Sequence, residues 1–556
     1  MKQFSALVFS IIFLLFLNAC GGGSSSTGSV DDNTTVDTTP PVITILGDNP
    51  ATVIQNETYT DAGATALDDR DGPVPVIATG SVNTALVGPY TITYTATDSA
   101  GNKATDSRSV NVIADTDDNL TLDDFEDAVP HDPSFKSTHF SGSQNCAQCH
   151  DGITDTSNGQ DVSIVKAWKG TMMDHAAIDP LYIAKVASEV QRNPNFKEVI
   201  EDKCSRCHMP MANVEAGFAG DTKLMFGDGF LNPENPHYDA AKEGVSCTLC
   251  HQIEDTPKLG TPEGSSGEFV IAENFGTGRV TYGPYPDNDI NPQPMINSVE
   301  FTPKYSAHMN DSKLCSTCHN LDTPVIDIQT NTLNGDIFPE QAVYTEWEFS
   351  DFNGTKSCQE CHMPQSEGSV IISTRPNNGS LSPKDNFYQH KFLGANTYML
   401  DILKNNITKL GSAADTAAFE TSIANTKEFL KASADVNIIS TNFDNGTLEF
   451  SVNVTNHSGH KFPTSIPIRR AWLHVKVTNT ADQSIVFESG AMNDNNQIIG
   501  VDDSTTSDYQ EHHEEIDDAS EVQVYEGIML DTAGNQTYTF LNASSYAKDN
   551  RILPKG

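Results

Sequence analysis

Gly244-Val245-Ser246-Cys247-Thr248-Leu249-Cys250-His251 decides how the middle of this chain is read. Two cysteines three positions apart, followed at once by histidine, are the attachment signature of c-type haem. Both thiols can add across the vinyl groups of the porphyrin, and the adjacent imidazole then lies under the iron as its proximal ligand. The pattern recurs at Cys146-Ala-Gln-Cys149-His150, Cys204-Ser-Arg-Cys207-His208, Cys315-Ser-Thr-Cys318-His319 and Cys358-Gln-Glu-Cys361-His362. A redox dithiol or half a zinc site does not require histidine after every cysteine pair. The spacing therefore implies five covalently bound haem c groups. Their thioether links would form at Cys146, Cys149, Cys204, Cys207, Cys247, Cys250, Cys315, Cys318, Cys358 and Cys361, with His150, His208, His251, His319 and His362 as proximal ligands.

Of the 11 cysteines, only Cys20 lies outside these motifs, so no thiol is left for a structural disulfide. Cys20 closes a leader: Lys2 is a short positive region, and Phe4 to Leu17 is an apolar stretch too short to span a bilayer. The ending Leu17-Asn18-Ala19-Cys20 resembles a bacterial lipoprotein signal. That resemblance implies cleavage before Cys20 and its lipidation, with Gly21 permitting outer-membrane sorting. Several acyl chains on one residue anchor durably where one chain does not. Export also suits c-type haems, which bacteria attach outside the cytoplasmic membrane.

The sixth position on each iron decides the chemistry: histidine closes it at low potential, methionine raises the potential, and a vacancy binds substrate. The chain has 16 histidines, so eleven remain after the proximal five. His139 and His308 stand at the same distance before Cys146 and Cys315, and His237 precedes Cys247. These three, with His175 and His390, are the candidate distal ligands. His460, in the loop Asn456-His457-Ser458-Gly459-His460-Lys461-Phe462-Pro463-Thr464, is the alternative. His131, His512 and His513 read as surface residues and His474 as structural. Met209 and Met363 directly follow proximal histidines, too close to reach the far face of the same haem. Packing against a porphyrin edge is their expected role.

The length of 556 residues implies several domains. The expected order is a signal peptide (1–19), a Gly/Ser/Thr-rich tether (20–39), a β-sandwich (40–114) and an acidic linker (115–134). A pentahaem domain (135–410) follows, mostly helix and loop with little sheet, then a connecting helix (411–435) and a C-terminal β-sandwich (436–556). In the first sandwich, Val42–Ile45, Ala51–Ile54 and Tyr90–Tyr94 are β-prone runs separated by turn signals at 48–50, 71–73 and 100–102. In the linker, Asp115, Asp117, Asn119, Asp123 and Glu126 fall at several calcium-loop offsets. Leu120 stands where that loop needs glycine, so a solvated linker is expected. Helices are expected at each motif and over 178–192, 397–404 and 416–432. The last domain alternates at 447–454, 471–477 and 521–526.

Gly47-Asp48-Asn49-Pro50, Tyr59 to Ala64 and Tyr94 to Asn102 resemble bacterial surface immunoglobulin-like modules, which act mostly as spacers. The haem motifs resemble multihaem c-type cytochromes, in particular the haem-binding domain of the tetrahaem cytochrome of ammonia-oxidising bacteria. The shared features are 244–252, Glu346-Trp347-Glu348-Phe349-Ser350, and Cys-His-Met-Pro after motifs two and five. His460 to Arg470, Tyr525-Glu526 and Lys548 to Arg551 resemble the β-rich tail of larger exported relatives. Multihaem nitrite reductases carry lysine in place of one proximal histidine, and all five motifs here end in histidine.

The formal net charge of -42 excludes nucleic acid as a partner, because phosphate binding needs the opposite sign. The expectation is an exported, lipid-anchored electron carrier on the outer membrane, facing the periplasm or the cell surface. Redox partner cytochromes or an extracellular electron acceptor would be its partners. Two alternatives are a terminal reductase with one open haem, acting on a small nitrogen or sulfur oxyanion, and a subunit of a cytochrome filament. No catalytic residue is assigned.

Overall fold

The computed structural model describes residues 37–55, 57–85, 88–113, 128–493, 496–501 and 509–556. The leader, Cys20, residues 21–36 of the tether and the calcium-like run 115–126 lie outside the described residues. The chain divides into two compact units, residues 1–116 and 117–556.

The first unit holds seven strands: β1 (Val42–Ile45), β2 (Ala51–Ile54), β3 (Ala64–Asp68), β4 (Gly72–Val74), β5 (Val76–Thr79), β6 (Gly88–Thr97) and β7 (Lys103–Ile113). β1, β3 and β4 form one antiparallel sheet. The other runs β2-β7-β6-β5, with β2 parallel to β7. Alternation along β6 sends Ile92, Tyr94 and Ala96 inward, as a pleated strand with one buried face requires. These residues meet Val53, Val110 and Val112 in the core. One cation enters that core: Arg108 is 1% exposed and its Nη1 donates to Asp61 at 2.6 Å. The Tyr94 hydroxyl donates to the same carboxylate at 2.6 Å. The buried charge is therefore paired and hydrogen-bonded, as burial demands.

In the second unit every Cys-x-x-Cys pair lies on a helix: Ser143–His150, Lys197–His208, Cys247–Cys250, Lys313–His319 and Cys358–His362. A helix puts both cysteines of Cys-x-x-Cys on one face. The expected helix near 178–192 runs Pro180–Arg192. Asp179 accepts from the Leu181 N–H at its start, proline occupies the first turn, and Tyr182, Val186 and Glu189 face inward. The helices Thr397–Asn405 and Thr416–Lys431 are likewise found, each capped by a side chain, Asn396 and Asp415. Tyr182, Val186, Ile200, Met209, Met211, Phe230, Leu249, Leu403 and Phe419 belong to the main core. Met209 is fully buried there.

The central region carries more sheet than its sequence suggests. Arg279–Gly283 pairs in parallel with Phe301–Tyr305, and Asn320–Asp327 pairs antiparallel with Thr332–Ala342. The hairpin escapes a reading by alternation because its register shifts between Leu321 and Asp322 and between Pro324 and Ile326. The strands of 436–556, expected as a second sandwich, are divided among four small sheets. The run 471–477 breaks into Ala471–Trp472 and Val475–Thr478, which pair with different partners. Met529, Phe540 and Ala543 pack against Val325 and Phe338 of the central hairpin. The tail thus shares its core with the segment carrying the motifs. No helix among the described residues is long and apolar enough to cross a membrane.

Candidate functional site

A proximal histidine needs one ring nitrogen anchored and the other free. His150 Nδ1 donates to the Ile372 carbonyl at 2.7 Å, His208 to Ala176 at 2.9 Å and His251 to Tyr282 at 2.6 Å. His362 Nδ1 donates to the Leu393 carbonyl. Each bond fixes the tautomer that leaves Nε2 as a lone-pair donor. Partial burial pushes the His150, His208, His251 and His362 imidazoles below their ordinary pKa, His208 to about 4, because a low-dielectric site disfavours the cation, whereas His319 stands exposed to solvent. Neutral imidazole is the ligating form.

Two distal candidates stand opposite motif histidines. The His251 and His390 rings have centroids 6.4 Å apart and planes 17° from parallel. The His362 and His460 rings are 6.3 Å apart and 19° from parallel. Neither separation is a stacking contact, and both suit a single atom held between two imidazoles. Two metal–imidazole bonds of about 2.0–2.1 Å, with about 1.2 Å from nitrogen to centroid on each side, total about 6.4–6.6 Å, close to both separations. His390 and His460 place Nδ1 on the Tyr388 and Lys461 carbonyls, both at 3.1 Å, so the anchoring pattern repeats. The residues present therefore fit a six-coordinate iron porphyrin at the third and fifth motifs.

His139 has the same preparation without a paired ring. It is 2% exposed, its Nδ1 meets Glu215 Oε2 at 3.1 Å, and Nε2 is buried with no hydrogen-bond partner. A carboxylate behind a histidine orients it as a ligand and raises its basicity. The other three candidates direct Nε2 at protein atoms. His175 meets Ser412 Oγ at 2.7 Å, His308 meets the Ile253 carbonyl at 2.9 Å, and His237 meets Asp221 Oδ2 at 2.9 Å. His131, read as a surface residue, is buried, with Nε2 2.7 Å from Glu243 Oε2. Nothing in its flanks, Pro130 and Asp132, signals that burial.

The motifs are neighbours in space. The Cys146 thiol interacts electrostatically with Cys247, Cys207 with Cys318, and Cys315 with Cys358. All ten motif thiols are free, with no disulfide among them. Buried polar groups hold the motif helices together. Glu243 accepts the Ser143 N–H at 2.6 Å, at the start of the first motif helix, and the Ser246 hydroxyl at 3.2 Å, beside the third. Ser312, at the head of the fourth, accepts the Cys358 N–H of the fifth at 3.0 Å. Gly244 adopts φ +65, and a Cβ there would lie 2.6 Å from the Asp174 carbonyl oxygen. Only glycine lets motif three approach the segment before His175 so closely.

The loop bearing His460 is held by residues distant in sequence. Glu346 Oε2 accepts the Lys461 N–H at 3.1 Å and the Thr464 hydroxyl at 2.5 Å, and its other oxygen lies 3.6 Å from Arg551. Asn456 donates to the carbonyls of His460, at 2.7 Å, and Ile552, at 3.1 Å. Lys203, Lys391 and Arg469 are pushed below their ordinary pKa values by burial, and the charge of Arg469 is felt at His319.

Residues 43–112 match the family described as bacterial surface protein, Ig-like domain. The first unit is therefore a bacterial surface immunoglobulin-like domain. No curated protein matches the chain. Among solved structures, a lipoprotein from Bacteroides thetaiotaomicron matches at 18% identity, over 21% of this chain and 49% of that one, with a TM-score of 0.13. A Clostridium perfringens ZmpB structure, comprising CBM51-2 in complex with GlcNAc and INT domains, matches at 28% identity. It covers 13% of this chain and 16% of its own, with a TM-score of 0.12. The chain thus aligns with less than half of either protein.

Proposed function

We propose that the chain is an exported pentahaem c-type cytochrome that carries electrons, lipid-anchored at Cys20 on the outer membrane. The observation that carries this reading is the pair of opposed imidazoles, His251 with His390 and His362 with His460, each on a motif histidine and each at iron-bridging separation. Haem, when bound, supplies a one-electron ferric–ferrous couple.

The residues supply everything else. The cysteine pairs hold the group covalently, so it cannot be lost outside the cell. The Nδ1–carbonyl bonds orient the imidazoles and keep them neutral. His390 and His460 close the sixth position at two sites, which favours carriage over substrate binding there. Lys203, Lys391 and Arg469 are half-buried bases suited to propionate carboxylates in a chain that is otherwise strongly acidic. The neighbouring motifs, one with three, three with four, two with four and four with five, would set short separations through the unit. The immunoglobulin-like domain and tether serve as a spacer from the lipid surface, and the acceptor is a redox partner or an extracellular oxidant.

Low-temperature electron paramagnetic resonance of the oxidised protein tests the reading. Low-spin bis-histidine signals from the third and fifth motifs are expected, and their loss in His390→Ala and His460→Ala should be selective. High-spin signals at both sites, with binding of cyanide in the unsubstituted protein, would contradict it.

A further inference from the structure

We propose that the immunoglobulin-like domain binds one calcium ion through Asp37, Asp68 and Asp69. The inference is independent of the haem reading. Asp68 ends β3, Asp69 opens the turn that follows, and Asp37 precedes β1, so sequence-distant segments converge. One carboxylate oxygen from each lies within 4.8 Å of the others. Calcium–oxygen bonds of about 2.3–2.6 Å allow ligand oxygens up to about 5 Å apart across one ion.

Clustered acids alone prove little, and Asp68 supplies the second observation. The residue is 3% exposed, and its Oδ2 is buried without any hydrogen-bond partner. Its Oδ1 is satisfied by the N–H groups of Arg70, at 2.9 Å, and Asp71, at 2.8 Å. A buried carboxylate oxygen with no donor is costly, and two further carboxylates beside it raise the cost. A divalent cation removes both penalties. Oxygen-only donors select a hard ion, and calcium tolerates an irregular shell completed by water and backbone carbonyls better than magnesium does. Asp37 is already held in place: its Oδ1 accepts the Thr39 N–H at 3.1 Å, and its carbonyl accepts from Asn102 at 3.1 Å. A bound ion would fasten the segment entering β1 to the β3–β4 turn.

Hydrogen-exchange mass spectrometry on the full chain tests this, with and without about 5 mM calcium, above the dissociation constants of about 10⁻⁴–10⁻³ M typical of extracellular modules. Amide exchange in peptides covering 37–45 and 64–74 should slow severalfold with calcium and much less with equal magnesium. Asp69→Asn, at an exposed position that leaves the fold intact, should abolish the difference, as should Asp68→Asn. Equal slowing with both ions, no slowing with calcium, or slowing that survives Asp69→Asn would overturn the proposal.

Discussion

A histidine that ligates iron is recognised by what its other nitrogen does. In this chain Nδ1 is tied to a backbone carbonyl in His150, His208, His251, His362, His390 and His460, and to a carboxylate in His139. The five motif histidines were legible from spacing alone. Which further histidines come near them was not, because those residues lie on loops whose approach depends on tertiary contacts. His390 and the alternative His460 face motif rings, whereas His175, His237 and His308 use Nε2 on protein partners. Glu215→Gln should leave His139 in place but weaken its basicity. The expected result is a shifted low-spin signal for one haem with unchanged haem content, measured by electron paramagnetic resonance and absorbance. In the first unit, Asp61→Ala strands the buried Arg108. A loss of about 3–5 kcal/mol in denaturant unfolding of that domain is expected.

At the scale of elements, two motif helices have a first N–H held by a side chain from elsewhere in the chain, Glu243 at Ser143 and Ser312 at Cys358. Helices as short as Cys247–Cys250 have no stability of their own. Glu243 serves two motifs at once, so Glu243→Ala should disturb both. Removing a buried acceptor costs about 1–3 kcal/mol for each donor left unsatisfied. Thermal unfolding should move down, with spectroscopic change confined to the haems of motifs one and three. Val42–Ile45, Ala51–Ile54 and much of Gly88–Thr97 were readable as β-prone runs between turn signals, whereas Ala64–Asp68 and Gly72–Val74 carry no such run. The central hairpin and the run 471–477 were not readable, since bulges and two-residue strands erase the alternation on which such readings rest, whereas the alternation at 447–454 is met by the strand Thr447–Asn456. The same sandwich gives a pH dependence. Burial, with the Asp61 hydrogen bond next, raises the Tyr94 pKa to about 12 from an ordinary value of 10.0. The folded domain then keeps a proton that the unfolded chain has lost, so stability falls as pH rises from about 10 to about 12. Unfolding midpoints across that window should decrease, and Tyr94→Phe should flatten the decrease.

At the scale of the molecule, residues far apart in the chain converge on the motif histidines. Glu346, Lys461, Thr464 and Arg551 form one polar knot beside His460. The sequence resemblance lists the same segments, without showing that they meet. The tail is therefore packed into the unit that carries the motifs and is not an appendage. The formal charge of -42 contrasts with half-buried bases, Lys203, Lys391 and Arg469, within the unit that carries the motifs. All of this rests on covalent haem at the five Cys-x-x-Cys-His sites. The most direct measurement is the intact mass of the chain after export through a c-type maturation system. The account predicts the polypeptide plus five haems, falling by one haem when Cys247 and Cys250 are both changed to alanine. A mass equal to the polypeptide alone, with ten free thiols, would contradict it.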